Sequence, residues 1–120
     1  MTEPRLTSGF RVAAHIRTLA AYDIPAFVVR KGDETAGQVL VKINRLVHRG
    51  EPGCRVFVQS YDAGGGRVWR AGTGPGEVTE AEADAYIDRT VRYDPDAWVI
   101  EVEDAQGRHM LEPVEGDGDA

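Results

Sequence analysis

A chain of 120 residues with 42% hydrophobic and 28% charged residues has the size and composition of one globular domain, long enough to bury a core without disulfides or a structural metal. Apolar runs such as Phe27 to Val29 and Val39 to Val41 fall far short of the roughly 20 residues a membrane helix needs, and Glu3 and Pro4 open the chain without a signal-like stretch. The net charge of −6 divides unevenly: residues 1–60 hold nine Lys/Arg against five Asp/Glu, residues 61–120 five against fifteen.

The first expected element is a helix from about Ser8 to Tyr22. Ser8 is the expected N-cap, and Phe10, Val12, Ala13, Ile16, Leu19 and Ala20 recur at helical spacing to make one apolar stripe. Pro25 ends the helix before it, because the residue preceding a proline avoids helical geometry. Ala26 to Lys31 then reads as a strand. Gly32-Asp33 opens a polar turn that Gly37 closes, and Gln38 to Leu46 follows, so the two strands read as a hairpin. A loop with Gly50, Pro52 and Gly53 leads to a third strand, Cys54 to Tyr61. The glycine-rich turn Asp62 to Gly66 leads to a fourth, Arg67 to Arg70, which completes an antiparallel meander.

Ala71 to Glu77 is loop. Thr79 and Glu82 have the spacing of a capping box, which starts a helix that runs to about Arg92 and stops at Asp94-Pro95. Trp98, Ile100 and Val102 alternate with Val99, Glu101 and Glu103 in a half-buried strand with one acidic face. Gly107 turns the chain toward a last strand around His109 to Leu111. The expectation is an α+β domain over residues 1–111. It has two helices against one face of a mostly antiparallel sheet of five to six strands, in the order α-β-β-β-β-α-β-β. The acidic, Gly-rich residues 112–120 are expected to form a mobile tail.

Few constellations suit catalysis. Gly72-Thr73-Gly74-Pro75-Gly76 precedes a helix, but its spacing is neither that of a P-loop nor of a dinucleotide fingerprint. Glu77, Glu80, Glu82 and Asp84 would also repel phosphate there. The element order is similar to the core of a large nuclease superfamily, whose metal site needs an acid two residues before a lysine. Val29 and Leu40 stand at those positions before Lys31 and Lys42. His15, His48 and His109 lack ligand-like spacing. Glu101 and Glu103 share a strand face, where they suit either a cation or a solvated edge that discourages stray pairing. Cys54, the one cysteine, cannot form an internal bridge and fits a reducing, cytoplasmic setting as a small strand residue. The residues thus point to no catalytic set, metal or cofactor.

The most distinctive polar residues lie around the first hairpin: Arg30, Lys31, Lys42, Asn44 and Arg45. Alternation puts Lys42 and Asn44 on one face, and Arg and Asn suit carboxylate, phosphate or amide edges. Trp69 and Trp98 are candidate aromatic contacts as well as core residues. The contrary expectation is that these cations pair with Asp33, Glu34 and the acidic second half, so that the two halves neutralise each other.

Ile24-Pro25, Val28-Val29-Arg30-Lys31-Gly32-Asp33, Ala36-Gly37 and Val41-Lys42-Ile43-Asn44-Arg45-Leu46 together carry a resemblance. So do Ala83-Asp84-Ala85-Tyr86-Ile87, Tyr93-Asp94-Pro95-Asp96, Trp98 to Asp104 and Gly107-Arg108-His109. Over most of residues 8–111 the chain resembles the uncharacterised alphaproteobacterial family known as domain of unknown function 1491. The resemblance implies a bacterial cytoplasmic setting and brings no activity or catalytic residues. The leading expectation is a non-enzymatic binding or protein-interaction module acting through the basic hairpin face. The first alternative is a small enzyme whose site is assembled only in the fold, drawing on His15, Asp94 or Glu101. Nucleic-acid contact through the basic half ranks last because the total charge is acidic. The identity of the partner and the oligomeric state are left open.

Overall fold

The computed structural model describes residues 6–115. Its elements are α1 (Ser8–Ala21), β1 (Ala26–Arg30), β2 (Val39–Asn44), β3 (Cys54–Tyr61), β4 (Arg67–Ala71), α2 (Glu80–Tyr93) and β5 (Trp98–Glu103). Both helices are set by local chemistry. Thr7, one residue before the expected cap, accepts the Phe10 N–H at 3.2 Å. Ser8 is instead buried, and its hydroxyl donates to the Gly37 carbonyl.

α1 ends in a Schellman turn. Asp23 takes a left-handed φ of 60°, its N–H bonds the Ala20 carbonyl and the Ile24 N–H bonds the Leu19 carbonyl, both at 3.0 Å. The accompanying apolar contact is present too, since Leu19 and Ile24 belong to one buried cluster. α2 carries the expected capping box, with Thr79 and Glu82 bonding each other's backbone N–H.

The sheet corrects the expected pairing. Its order is β1-β5-β2-β3-β4, so β5 lies between β1 and β2 and they form no hairpin. β5 runs antiparallel to β1 but parallel to β2, which makes the sheet mixed. The meander is confined to β2, β3 and β4. The reason is visible in residues 31–38, which cross the start of β5 and are tied to it. Asp33 N–H donates to the Asp96 carbonyl at 2.9 Å, Trp98 Nε1–H to the Asp33 carbonyl at 2.7 Å, and Trp98 N–H to the Gln38 carbonyl at 2.7 Å. A Cβ on Gly32 would sit 2.2 Å from the Asp96 carbonyl oxygen, so the close crossing needs glycine there.

The helices lie on opposite faces rather than on one. α1 covers a core of Val39, Val41, Ile43, Phe57, Ile100 and Val102. On the other face, Ala83 and the flanks of α2 meet Leu40, Val56, Val58 and Val99. Every residue of β2 is buried, as an interior strand with both faces covered requires.

The expected last strand does not form among the described residues. Gly107 and Met110 take positive φ values of 74° and 56°, which break any extended run. His109 instead meets the Phe57 ring edge-on at 4.8 Å. Beyond it the chain closes the outer edge of β4. Trp69 N–H donates to the Pro113 carbonyl, Glu115 N–H donates to the Trp69 carbonyl, and Trp69 and Val114 form a parallel bridge. The first residues of the expected tail are therefore attached, while residues 116–120 lie outside the described residues.

Candidate functional site

Lys42 lies in the middle of β2, on the face that α2 covers, and is only 4% exposed. The parallel register sets Glu101 of β5 directly beside it, and the first turns of α2 add Glu80 and Asp84 one helical turn apart. Lys42 Nζ is 2.8 Å from Glu80 Oε2, 2.8 Å from Asp84 Oδ1 and 3.3 Å from Glu101 Oε1. Burial on its own would lower the ammonium's pKa. The hydrogen bonds to Asp84 and Glu80, with the charges of Glu101 and Asp84, outweigh it and raise the value above that of an ordinary lysine. Lys42 is therefore a locked cation with its donors spent.

Asn44 and Arg45 are held in the same way. Asn44 Nδ2 donates to Glu80 Oε2 at 3.2 Å, and Asn44 Oδ1 accepts the Leu46 N–H at 2.8 Å. Arg45 Nη1 bonds Glu77 Oε1 at 2.8 Å, and its Nε bonds the Ala105 carbonyl at 3.1 Å. Here the basic first half and acidic second half neutralise each other. Of the five hairpin residues singled out by sequence, only Arg30 and Lys31 have no carboxylate partner among the described residues. Both stand at the end of β1, with Lys31 exposed and Arg30 half-buried. Trp69 is half-buried and Trp98 is core.

Glu101 is not on a sheet edge, because β5 is interior and its carboxylate faces Lys42. Asp104 is taken by Arg108, whose Nε and Nη2 bond it at 3.0 and 2.9 Å. The residues weighed for an enzyme do not converge. His15 lines a cleft with Val41 and Ile100 on the α1 face, whereas Glu101 points to the α2 face. Asp94 caps the end of α2 and accepts the Asp96 N–H. Cys54 lies buried behind the wall of a cleft of about 630 Å³ beside Glu80 and Asp84, and burial, opposed by Lys42 but aided by those carboxylates, pushes its thiol up to about 11. It stays a thiol rather than a thiolate. Among the described residues, no group of three or more His, Cys, Asp or Glu side chains is disposed to hold a metal ion.

What sequence reasoning missed is the outer edge of β1. Phe27, Val28 and Val29 are 44%, 42% and 58% exposed, in the middle of a strand whose far side pairs with nothing among the described residues. Glu103 N–H donates to the Pro25 carbonyl at 2.9 Å, which makes residues 25 and 103 a hydrogen-bonded pair of the ladder. By alternation the next such pair is Phe27 with Glu101, so Ala26 and Val28 turn their N–H and C=O groups outward. A shallow apolar cleft runs from Val28 to Ala13, Ile16 and Ala20 of α1. The signal is the unalternating run Ala26 to Val29, which the hairpin expectation pairs with β2 instead.

Among the described residues, a five-stranded mixed sheet between two helices, with one edge closed by the chain itself and the other open, defines a small three-layer α+β domain. The chain belongs to the DUF1491 family, whose description is a protein of unknown function and whose profile matches residues 6–112. The crystal structure of a DUF1491 family protein from Caulobacter crescentus CB15 is similar, with 42% identity over 92% of this chain and 100% of that one and a TM-score of 0.79. An NMR structure of a DUF1491 family protein from the same organism gives 40% identity over 94% and 99%, with a TM-score of 0.75. Protein Atu0922 from A. tumefaciens shares 26% identity over 83% of this chain and 86% of its own, with a TM-score of 0.67. No curated protein matches the chain. Among the described residues no helix is long and apolar enough to cross a membrane.

Proposed function

We propose that this chain is a small protein-interaction module of the cytoplasm that docks its partner by adding a strand to the open edge of β1. One observation carries the reading: Pro113 to Glu115 close the β4 edge, whereas the β1 edge presents outward amides beneath three exposed apolar side chains. Exposed edges with apolar residues at their centre attract further strands, and main-chain bonds then supply affinity while side chains supply selectivity. Arg30 and Lys31 remain part of the site, as the cationic end of the added-strand groove. Lys42, Asn44 and Arg45 are spent internally and serve to seat α2. The lone buried Cys54 suits a reducing compartment.

Selection of extended peptides from a displayed random library tests the reading. The expected binders perturb the backbone amides of Ala26 and Val28 in an NMR titration. They also fail to bind a Val28→Pro variant, which loses an outward donor without losing a bond to β5. Binders that map to another face, or that bind Val28→Pro equally well, would overturn it.

A further inference from the structure

We infer that the occupant of the open β1 edge is a second copy of this chain, joined by antiparallel β1–β1 pairing about a two-fold axis at Phe27. The inference rests on the edge-docking reading above and names its partner. An isologous interface requires the edge to be complementary to itself, and this edge is. With the axis at Phe27, Ala26 of one copy stands opposite Val28 of the other. Those are the residues whose amide and carbonyl groups point outward, so each such pair exchanges two hydrogen bonds and the symmetry repeats it.

The side chains agree with that register. Phe27 faces its own copy at a non-hydrogen-bonded position, where cross-strand side chains come closest, and an aromatic pair there is stabilising. On the other face of the sheet Val28 adjoins the cleft formed with Ala13, Ile16 and Ala20. Small residues there let the two α1 helices come alongside.

Charge agrees with antiparallel self-pairing. Exposed Asp23 lies just before β1 and exposed Lys31 just after it, so pairing turns the acidic end of one copy toward the basic end of the other, twice over by symmetry. Moving the axis one residue to Val28 would instead set Ala26 opposite Arg30, across the bulge, and would leave only the Val28 pair with regular main-chain bonds. The two-fold contact uses the β1 edge of both copies, and Pro113 to Glu115 already close the β4 edge, so growth stops at a closed pair rather than an open stack.

Sedimentation of the full chain over a concentration series reads the result directly. The wild type is expected to dimerise. Lys31→Asp and Asp23→Lys should each weaken association by on the order of tenfold, with unchanged circular dichroism, and the Asp23→Lys/Lys31→Asp double variant should recover it. Val28→Pro should be monomeric. A wild type that stays monomeric at NMR concentrations, yet binds the library-selected peptides at Ala26 and Val28, overturns the self-pairing and leaves edge docking standing. A monomer that binds no such peptide overturns both. A dimer that survives Val28→Pro and both single charge reversals overturns the β1 interface.

Discussion

Lys42 of β2 and Asp84 of α2 meet at 2.8 Å, so a central strand and the helix above it are joined by an ion pair that draws in Glu80 and Glu101 as well. Removing one side of such a cluster leaves like charges facing each other. Lys42→Met should lower unfolding free energy by about 3 kcal/mol, the lower end for a broken buried pair, because Glu80 and Asp84 are themselves half exposed. Urea denaturation at neutral pH measures it. The raised pKa of Lys42 fixes the pH sign: its stabilising contribution is complete below the unfolded value of 10.5 and is lost as pH climbs through the folded one. The gap between wild type and Lys42→Met should therefore persist at pH 10 and narrow only at more alkaline pH.

Gly32 is the point where the chain crosses β5. Its missing Cβ would lie 2.2 Å from the Asp96 carbonyl oxygen and 2.7 Å from Trp98 Cδ1, both in parts of the structure that cannot yield freely. Gly32→Ala should cost about 2 kcal/mol of stability, as overpacking does. Gly76→Ala, with open space around it, should stay within about 0.5 kcal/mol of wild type. Equal melting curves for the two variants would contradict the crossing as described.

Cys54 is 2% exposed, and its thiol is pushed up to about 11 by burial, with Glu80, Asp84 and Glu101 adding and Lys42 opposing. Modification by a thiol reagent at neutral pH should be slow and should follow global unfolding rather than local access. The folded state keeps the thiol proton longer than the unfolded chain. Its contribution to stability is thus present below about pH 9 and is lost as pH rises from there toward 11.

Thr79→Ala removes the hydroxyl that accepts the Glu82 N–H at 3.1 Å, and with it half of the capping box. A loss of about 1 kcal/mol is expected. Because the same turn carries Glu80, the effect should be less than additive with Lys42→Met in a double-mutant cycle. The backbone N–H of Thr79, and then its hydroxyl, hold the Glu82 carboxyl below its ordinary value. That contribution is present above the ordinary range and is lost as pH falls through the folded value.

What could be read from the sequence was what is decided nearby along it. The helix expected over Ser8 to Tyr22 ends at Ala21, and the capping box at Thr79 is found as expected, because the groups that start and stop these helices lie within five residues of one another. The N-cap at Thr7 rather than Ser8 already depends on a distant group, since Ser8 turns its hydroxyl to Gly37. Strand positions were legible from periodicity, but their neighbours were not. No local pattern tells β1 that its partner is Trp98–Glu103 rather than Val39–Asn44. Alternation correctly put Lys42 and Asn44 on one face. That this face is buried follows from carboxylates 38 and 42 residues further along the chain. The open edge of β1 was hidden by the same mistaken pairing.

The insertion of β5 between β1 and β2 also sets a timetable for assembly. A ribosome releases Ala26–Arg30 and Val39–Asn44 long before Trp98–Glu103, so both early strands emerge without the neighbour they share. β2 can wait against β3, but β1 has only α1 to shelter it until the last strand threads into place. Closing that distance is slow compared with forming helices or hairpins. A nascent chain of this protein therefore spends part of its synthesis with its most adhesive strand bare on both sides, the interval in which it has most need of a chaperone.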